Sequence, residues 1–233
     1  MYARFKVVGF ALIVAGLLFV GVGGYTYVKT QEGATALQAF SAAQNVKLSY
    51  NDQGQLTDRG ETPGAEAIMG LLTNDWGYAV NTAELNPSDP VVNTASEYMY
   101  QMATIAYHTL NGTQTVVLTE PAEFDGKTFA AGSYEVPVAG RYWSQFNRQN
   151  PLDAKVREQA WTGTAHALIA ELGVGTVTAS TLQVGLGIAA IAAALGATLM
   201  LLGLGVIWAA RPVLVTAPAT APVTVRGSAS AAA

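Results

Sequence analysis

No cysteine occurs among the 233 residues, so the chain has no disulfide framework, no thiolate nucleophile and no thiolate metal ligand. Only two histidines are present, and they share no short spacing of the kind that zinc motifs use. A phosphate-cradling glycine loop and a nucleophile elbow are missing as well. Charge is scarce: twelve Lys and Arg stand against sixteen Asp and Glu, a formal balance of −4. Its placement is more telling than its amount. Neither Val7–Val28 nor Val184–Ala210 holds a charged residue, and no acidic residue lies outside the segment they enclose.

These two apolar runs are 22 and 27 residues long. At about 1.5 Å per helical residue each exceeds the roughly 30 Å hydrocarbon core of a bilayer. The first run follows Arg4 and Lys6, as a signal peptide would, yet it is longer than the apolar part of one, and the nearest small-x-small pattern behind it, Ala34-Thr35-Ala36, comes only after Lys29 and Glu32. It reads as an uncleaved anchor. Arg4, Lys6 and Arg211 flank the runs on one side, which by the positive-inside rule predicts both ends of the chain in the cytoplasm of a multi-pass plasma-membrane protein. The expected plan is a cytoplasmic N-terminus over 1–6, spans at 7–28 and 184–210, an extracytoplasmic domain over 29–183, and a disordered cytoplasmic tail over 211–233. Tyr25 and Tyr27 at one end of the first run, and Trp208 in the second, suit membrane–water interfaces. Residues 29–183 carry sixteen acids and eight bases, a balance that argues against nucleic acid as a partner.

The enclosed segment reads as α+β, so the fold class is a two-helix transmembrane hairpin enclosing an α+β extracytoplasmic domain. Thr62-Pro63 predicts a helix over Ala65–Leu72. Thr94-Ala-Ser-Glu97 is a capping box ahead of Tyr98–Leu110. Asn150-Pro151 opens a helix expected to run to about Leu172 and to stop at Gly173 and Gly175. A further helix over Ala34–Gln44 would extend the first span. Strands are expected at Val46–Tyr50, Thr113–Leu118 and Tyr134–Val138, with a hairpin about Asp125-Gly126. Asn51-Asp52-Gln53-Gly54 reads as a turn, because it lacks the alternating acids of a calcium loop.

Four groups of residues are candidates for function. Gly9, Gly16 and Gly23 recur every seven residues, and Gly185, Ala189, Ala192, Gly196 and Gly203 share one face of the second run. Such small residues let helices approach closely in lipid, either within the chain or with a membrane-protein partner or second copy. Neither run has an ionisable residue at its middle, which argues against an ion path. Glu97, Gln101, Thr104 and His108 form a polar stripe on one helix, and Glu97, His108 and His166 are candidates for a metal site; an amphipathic surface helix with Glu97 as its capping-box acid accounts for the stripe without one. Arg141-Tyr142-Trp143 is an aromatic and arginine loop suited to ligand or partner contact, although aromatics are also what a small domain uses for its core. Asn111-Gly112-Thr113 is a glycosylation sequon.

Glu97–Gly112, Gly140–Trp143 and Glu158–Gly173 together resemble uncharacterised two-span membrane proteins of actinobacteria. The resemblance implies a cell-envelope setting and an extracytoplasmic domain, and brings no activity, cofactor or site residue with it. The expected function is that of a non-enzymatic membrane accessory or scaffold protein without a cofactor. An extracytoplasmic ligand-binding or sensing module using the Arg141–Trp143 loop, and a metal-dependent enzyme, are the alternatives.

Overall fold

The computed structural model describes residues 2–211, so the tail expected to be disordered lies outside the described residues apart from Arg211. The chain divides into two compact units. One is built from residues up to Val22 and from Ala192 onward, the other from Gly23–Ile191.

Two helices dominate the chain: α1, Tyr2–Gln44, and α5, Gly163–Ala209. Both are long and apolar enough to cross a membrane, and a small α+β region lies between them in sequence. At 43 and 47 residues they reach roughly 65–70 Å, about twice a hydrocarbon core. The expected helix over Ala34–Gln44 is therefore the end of α1 itself. In the first unit the usual soluble pattern is inverted. Gly9, Gly16, Gly196 and Gly203 are buried, while Val7, Phe10, Leu18 and Leu201 are exposed.

Between the long helices come β1 (Ser49–Tyr50), β2 (Leu56–Thr57), α2 (Thr62–Gly70), α3 (Ala95–Leu110), β3 (Thr113–Leu118), β4 (Ala122–Phe124), β5 (Lys127–Phe129), β6 (Gly132–Pro137) and α4 (Pro151–Ala160). The strands form three separate antiparallel pairs, β1–β2, β3–β6 and β4–β5, rather than one small sheet. Asn51 closes the first, its side-chain oxygen accepting from the backbone N–H of Gln53 and Gln55. Asp125 and Gly126 both take positive φ, 49° and 71°, the backbone that a two-residue type I′ hairpin needs.

The α3 cap is as the sequence predicts. The Thr94 hydroxyl accepts from the Glu97 N–H, and the Glu97 carboxylate accepts from the Thr94 N–H at 2.9 Å. Two helix boundaries differ. α2 starts at Thr62 and passes into a π-helical turn over Leu71–Asp75, closed by the Trp76 N–H on the Leu71 carbonyl. The helix opened by Asn150 ends at Ala160, not near Leu172. Trp161 leaves helical geometry there, and its indole N–H donates to the Arg141 carbonyl at 3.0 Å. Thr162 then caps α5, which runs through Gly173 and Gly175 without a break.

Two buried clusters hold the second unit together. One joins Ile68 and Leu72 to Val92, Tyr98, Tyr100 and Ala103. The other joins Ala106 and Leu110 of α3 to Val116, Val138, Phe146 and Val156. α3 contributes to both and so is the spine of this unit.

Candidate functional site

In the first unit, the small residues of α1 and α5 meet one another. A Cβ on Gly9 would lie 2.7 Å from the Gly203 carbonyl oxygen, and one on Gly16 would lie 2.6 Å from that of Gly196. In the second unit, a Cβ on Gly185 would lie 2.6 Å from the Thr30 hydroxyl, and Gly23 and Ala189 are buried. Ala192 is half-buried. Gly9, Gly16, Gly185, Gly196 and Gly203 are thus packed closely within the chain. The glycines that stay open are others: a Cβ on Gly21 or Gly187 would meet nothing within 4 Å.

The polar stripe of α3 is not a solvated face. Glu97 is only 1% exposed, and one carboxylate oxygen accepts from the Asn93 N–H, the Thr94 N–H and the Thr94 hydroxyl. Burial raises its carboxyl above the ordinary range, more than those hydrogen bonds lower it, and Asp89 adds to the rise. Thr104 turns back onto the Tyr100 carbonyl. His108 meets the Asp58 carboxylate at 2.9 Å. His166 is on α5, exposed, with its Nδ1 3.0 Å from the Thr162 carbonyl and its ring in a T-shaped contact with Trp143 and tilted against Trp161. Glu97, His108 and His166 thus have three different sets of neighbours. Among the described residues no group of three or more His, Cys, Asp or Glu could hold a metal ion.

Arg141 is a clamp. Its Nη1 donates to Asp153 at 2.9 Å, its Nε and Nη2 donate to the carbonyls of Val138 and Pro137, and its guanidinium lies 4.3 Å from the Phe146 ring centre. It therefore fixes the loop between β6 and α4 and has little left for a ligand. Tyr142 and Trp143 are more open. The Tyr142 hydroxyl accepts from the Trp76 indole N–H at 2.8 Å, and its ring stacks on Trp161. Trp143 carries the Arg157 guanidinium 3.5 Å above its ring. Trp76 and Tyr142 line two clefts, one of about 580 Å³ beside Asp75 and Asn111, the other of about 280 Å³ beside Ser144 and His166.

A larger cavity lies elsewhere, and of the residues lining it Gln101 alone belongs to a candidate group named from the sequence. It is a groove of about 630 Å³ within the second unit, walled by α1 (Leu37, Phe40), α3 (Ile105) and α5 (Leu168, Leu172). Tyr98 is its floor. The Tyr98 hydroxyl is paired with the Ser41 hydroxyl at 2.7 Å, and its ring lies flat on α5, where a Cβ on Gly175 would come within 2.7 Å of it. Polar groups are confined to Gln44, Gln101, Thr178, the Ser41–Tyr98 pair and Glu171, which is the one charged residue of the lining. A signal for it exists in the sequence. After Glu171 the chain is uncharged to Ala210, so apolar character begins twelve residues before the run at Val184.

Comparison with protein-family models, with curated proteins and with solved structures finds no match to this chain.

Proposed function

We propose that the protein is an integral membrane protein of the cell envelope, anchored by α1 and α5, with both ends cytoplasmic and residues 29–183 extracytoplasmic. Its outer domain acts by binding, as a non-enzymatic accessory or scaffold element. The inverted packing of the first unit carries the anchoring: glycines are buried while Phe10, Leu18 and Leu201 are 60%, 67% and 70% exposed, a surface that water would penalise and lipid would not. Tyr25, Tyr27 and Trp208, all exposed, support an interfacial setting. The binding role is supported by how the polar groups are used. Glu97 caps a helix, His108 pairs with Asp58 and Arg141 clamps a loop, whereas the groove walled by α1, α3 and α5 is mostly apolar. A periplasm-dependent reporter fused after Gly112 should be active and one fused after Arg211 inactive; the reverse would overturn the orientation. Cross-linking in native membranes should recover a neighbouring membrane protein attached through residues 29–183. Recovery of the uncross-linked chain alone under several mild conditions would count against the scaffold role.

One observation favours a second reading, a ligand site at the aromatic loop. Tyr142 is 37% exposed and borders both clefts with Trp76. Tyr142→Ala should then abolish ligand-induced quenching of tryptophan fluorescence. Unchanged quenching would remove the loop from consideration.

A further inference from the structure

We propose that the groove between α1, α3 and α5 holds the hydrocarbon chain of a membrane lipid whose headgroup is uncharged overall or amine-bearing. This rests on the membrane anchoring argued above. The groove's volume of about 630 Å³ falls in the usual range of small-ligand sites, roughly 300–1,000 Å³. Its walls are Leu, Ile, Phe and Val, and its buried hydroxyls, Ser41 and Tyr98, satisfy each other. An occupant need bring no polar group to the floor.

Access is marked on α5. Val174, Val177, Val184, Ile188 and Ile191 fall on one face of the helix, and all are more than half exposed. This stripe, interrupted by Thr181 between Val177 and Val184, leads from the expected span to Val174, which lines the groove. Thr178, also in the lining, is six residues from Val184, about 9 Å of helix. A lipid chain can therefore leave the bilayer along the stripe without crossing a charged residue of α5. Phe40 and Leu168, 49% and 42% exposed, continue the apolar surface at the mouth.

Size argues against a helix of a partner protein. A single turn, about 10 Å across and 5.4 Å tall, displaces roughly 400 Å³. The groove would take little more than one turn, whereas helix-in-groove recognition uses anchors spread over two or more. Charge selects the headgroup. Glu171 is the charged member of the lining, and the segment 29–183 has a balance of −8, so an anionic headgroup would be repelled.

The test uses the full chain in nanodiscs containing phosphatidylethanolamine with a diazirine at the end of its acyl chain, and in parallel the matching phosphatidylglycerol probe. Photolysis should label peptides from 37–44 and 168–178, with the ethanolamine probe labelling them more strongly. Leu168→Asp and Val174→Asp place a carboxylate against the chain at exposed positions that should not disturb folding. Each should lower groove labelling by at least about ten-fold. Val117→Asp, on an exposed strand position away from the groove, should leave it unchanged. Circular dichroism checks that each variant is folded. Labelling confined to 7–28 and 184–210, equal labelling of all three variants, or cross-links to a second polypeptide at the groove would each overturn the site. Alkaline carbonate extraction separates this from the underlying reading. A chain that stays in the membrane but is not labelled at the groove loses the lipid site and keeps the anchor; a chain that is extracted loses both.

Discussion

Gly16 and Gly196 touch backbone to backbone: a Cβ on either would lie 2.6 Å from the carbonyl oxygen of the other. Neither can move aside, because each oxygen belongs to a helix. Gly196→Val should therefore force these segments of α1 and α5 apart and destabilise their packing by roughly 1–3 kcal/mol, the usual cost of overpacking. Gly187→Val puts the same bulk on the same helix where a Cβ meets nothing within 4 Å, and should be close to neutral. Thermal unfolding in detergent checks the contrast. Equal effects of the two substitutions would mean that helix propensity, not close approach, is being measured.

Arg141→Lys should weaken the outer domain although it keeps the charge. A lysine cannot serve Asp153, Val138 and Pro137 together or lie flat on Phe146. A loss of roughly 1–2 kcal/mol is expected, a fall in Tm of roughly 2–8 °C. A double-mutant cycle with Asp153→Asn should show coupling. Independent, additive effects would show that the clamp is not a unit.

Glu97 and Glu84 should pull stability in opposite directions with pH. Burial raises the Glu97 carboxyl, so the folded state binds its proton more tightly than the unfolded chain does. Its contribution is fully present below the ordinary carboxylate value, about 4.3, and is lost as pH rises through the raised one. For Glu84, burial would also raise the carboxyl, but hydrogen bonds from Ser96, Gln183 and Asn81 together outweigh it and hold it low. That contribution is present above the ordinary value and is lost as pH falls through the lowered one. Denaturant unfolding between about pH 3 and about pH 7 should show Glu97→Gln flattening the decline towards neutrality and Glu84→Gln flattening the decline towards acid. Gln keeps an acceptor for the α3 cap, so the Glu97 effect reports charge rather than a broken helix start.

Tyr100 is 3% exposed and its hydroxyl is buried without a hydrogen-bond partner. Burial first, then the charge of Asp58, raises its phenol far above the ordinary value, so it stays protonated. Tyr100→Phe removes a desolvated hydroxyl and no bond, and should leave stability unchanged or raise it by up to about 1 kcal/mol, read as an unchanged or higher Tm. A clear loss of stability would reveal an ordered water bound there.

The long elements were legible from residue type alone. Uncharged runs, the Thr94–Glu97 cap and the Asp125-Gly126 turn depend on neighbours in sequence, and the structure has α1, α3, α5 and the β4–β5 hairpin where they point. The break after Ala160 was not legible, because it is made by Trp161 reaching the carbonyl of Arg141, twenty residues earlier. Nor was the continuation of α5 through Gly175, where a missing Cβ serves the ring of Tyr98 rather than a helix end. The burial of Glu97 on the α3 stripe was not legible for a similar reason: it is polar, yet its partners are its own cap, which lets it be buried. The groove escaped notice because its walls come from three distant segments, each unremarkable alone.

That last arrangement bears on the order in which the protein acquires its shape. Leu37 and Phe40 leave the ribosome early, Tyr98 and Ile105 midway, and Leu168 and Leu172 late. The early wall must wait, with its apolar side uncovered, until more than a hundred further residues have been made. Contacts this far apart in sequence form slowly. During synthesis, then, the nascent chain presents an unfinished half-groove, and closing it reports that α5 has arrived.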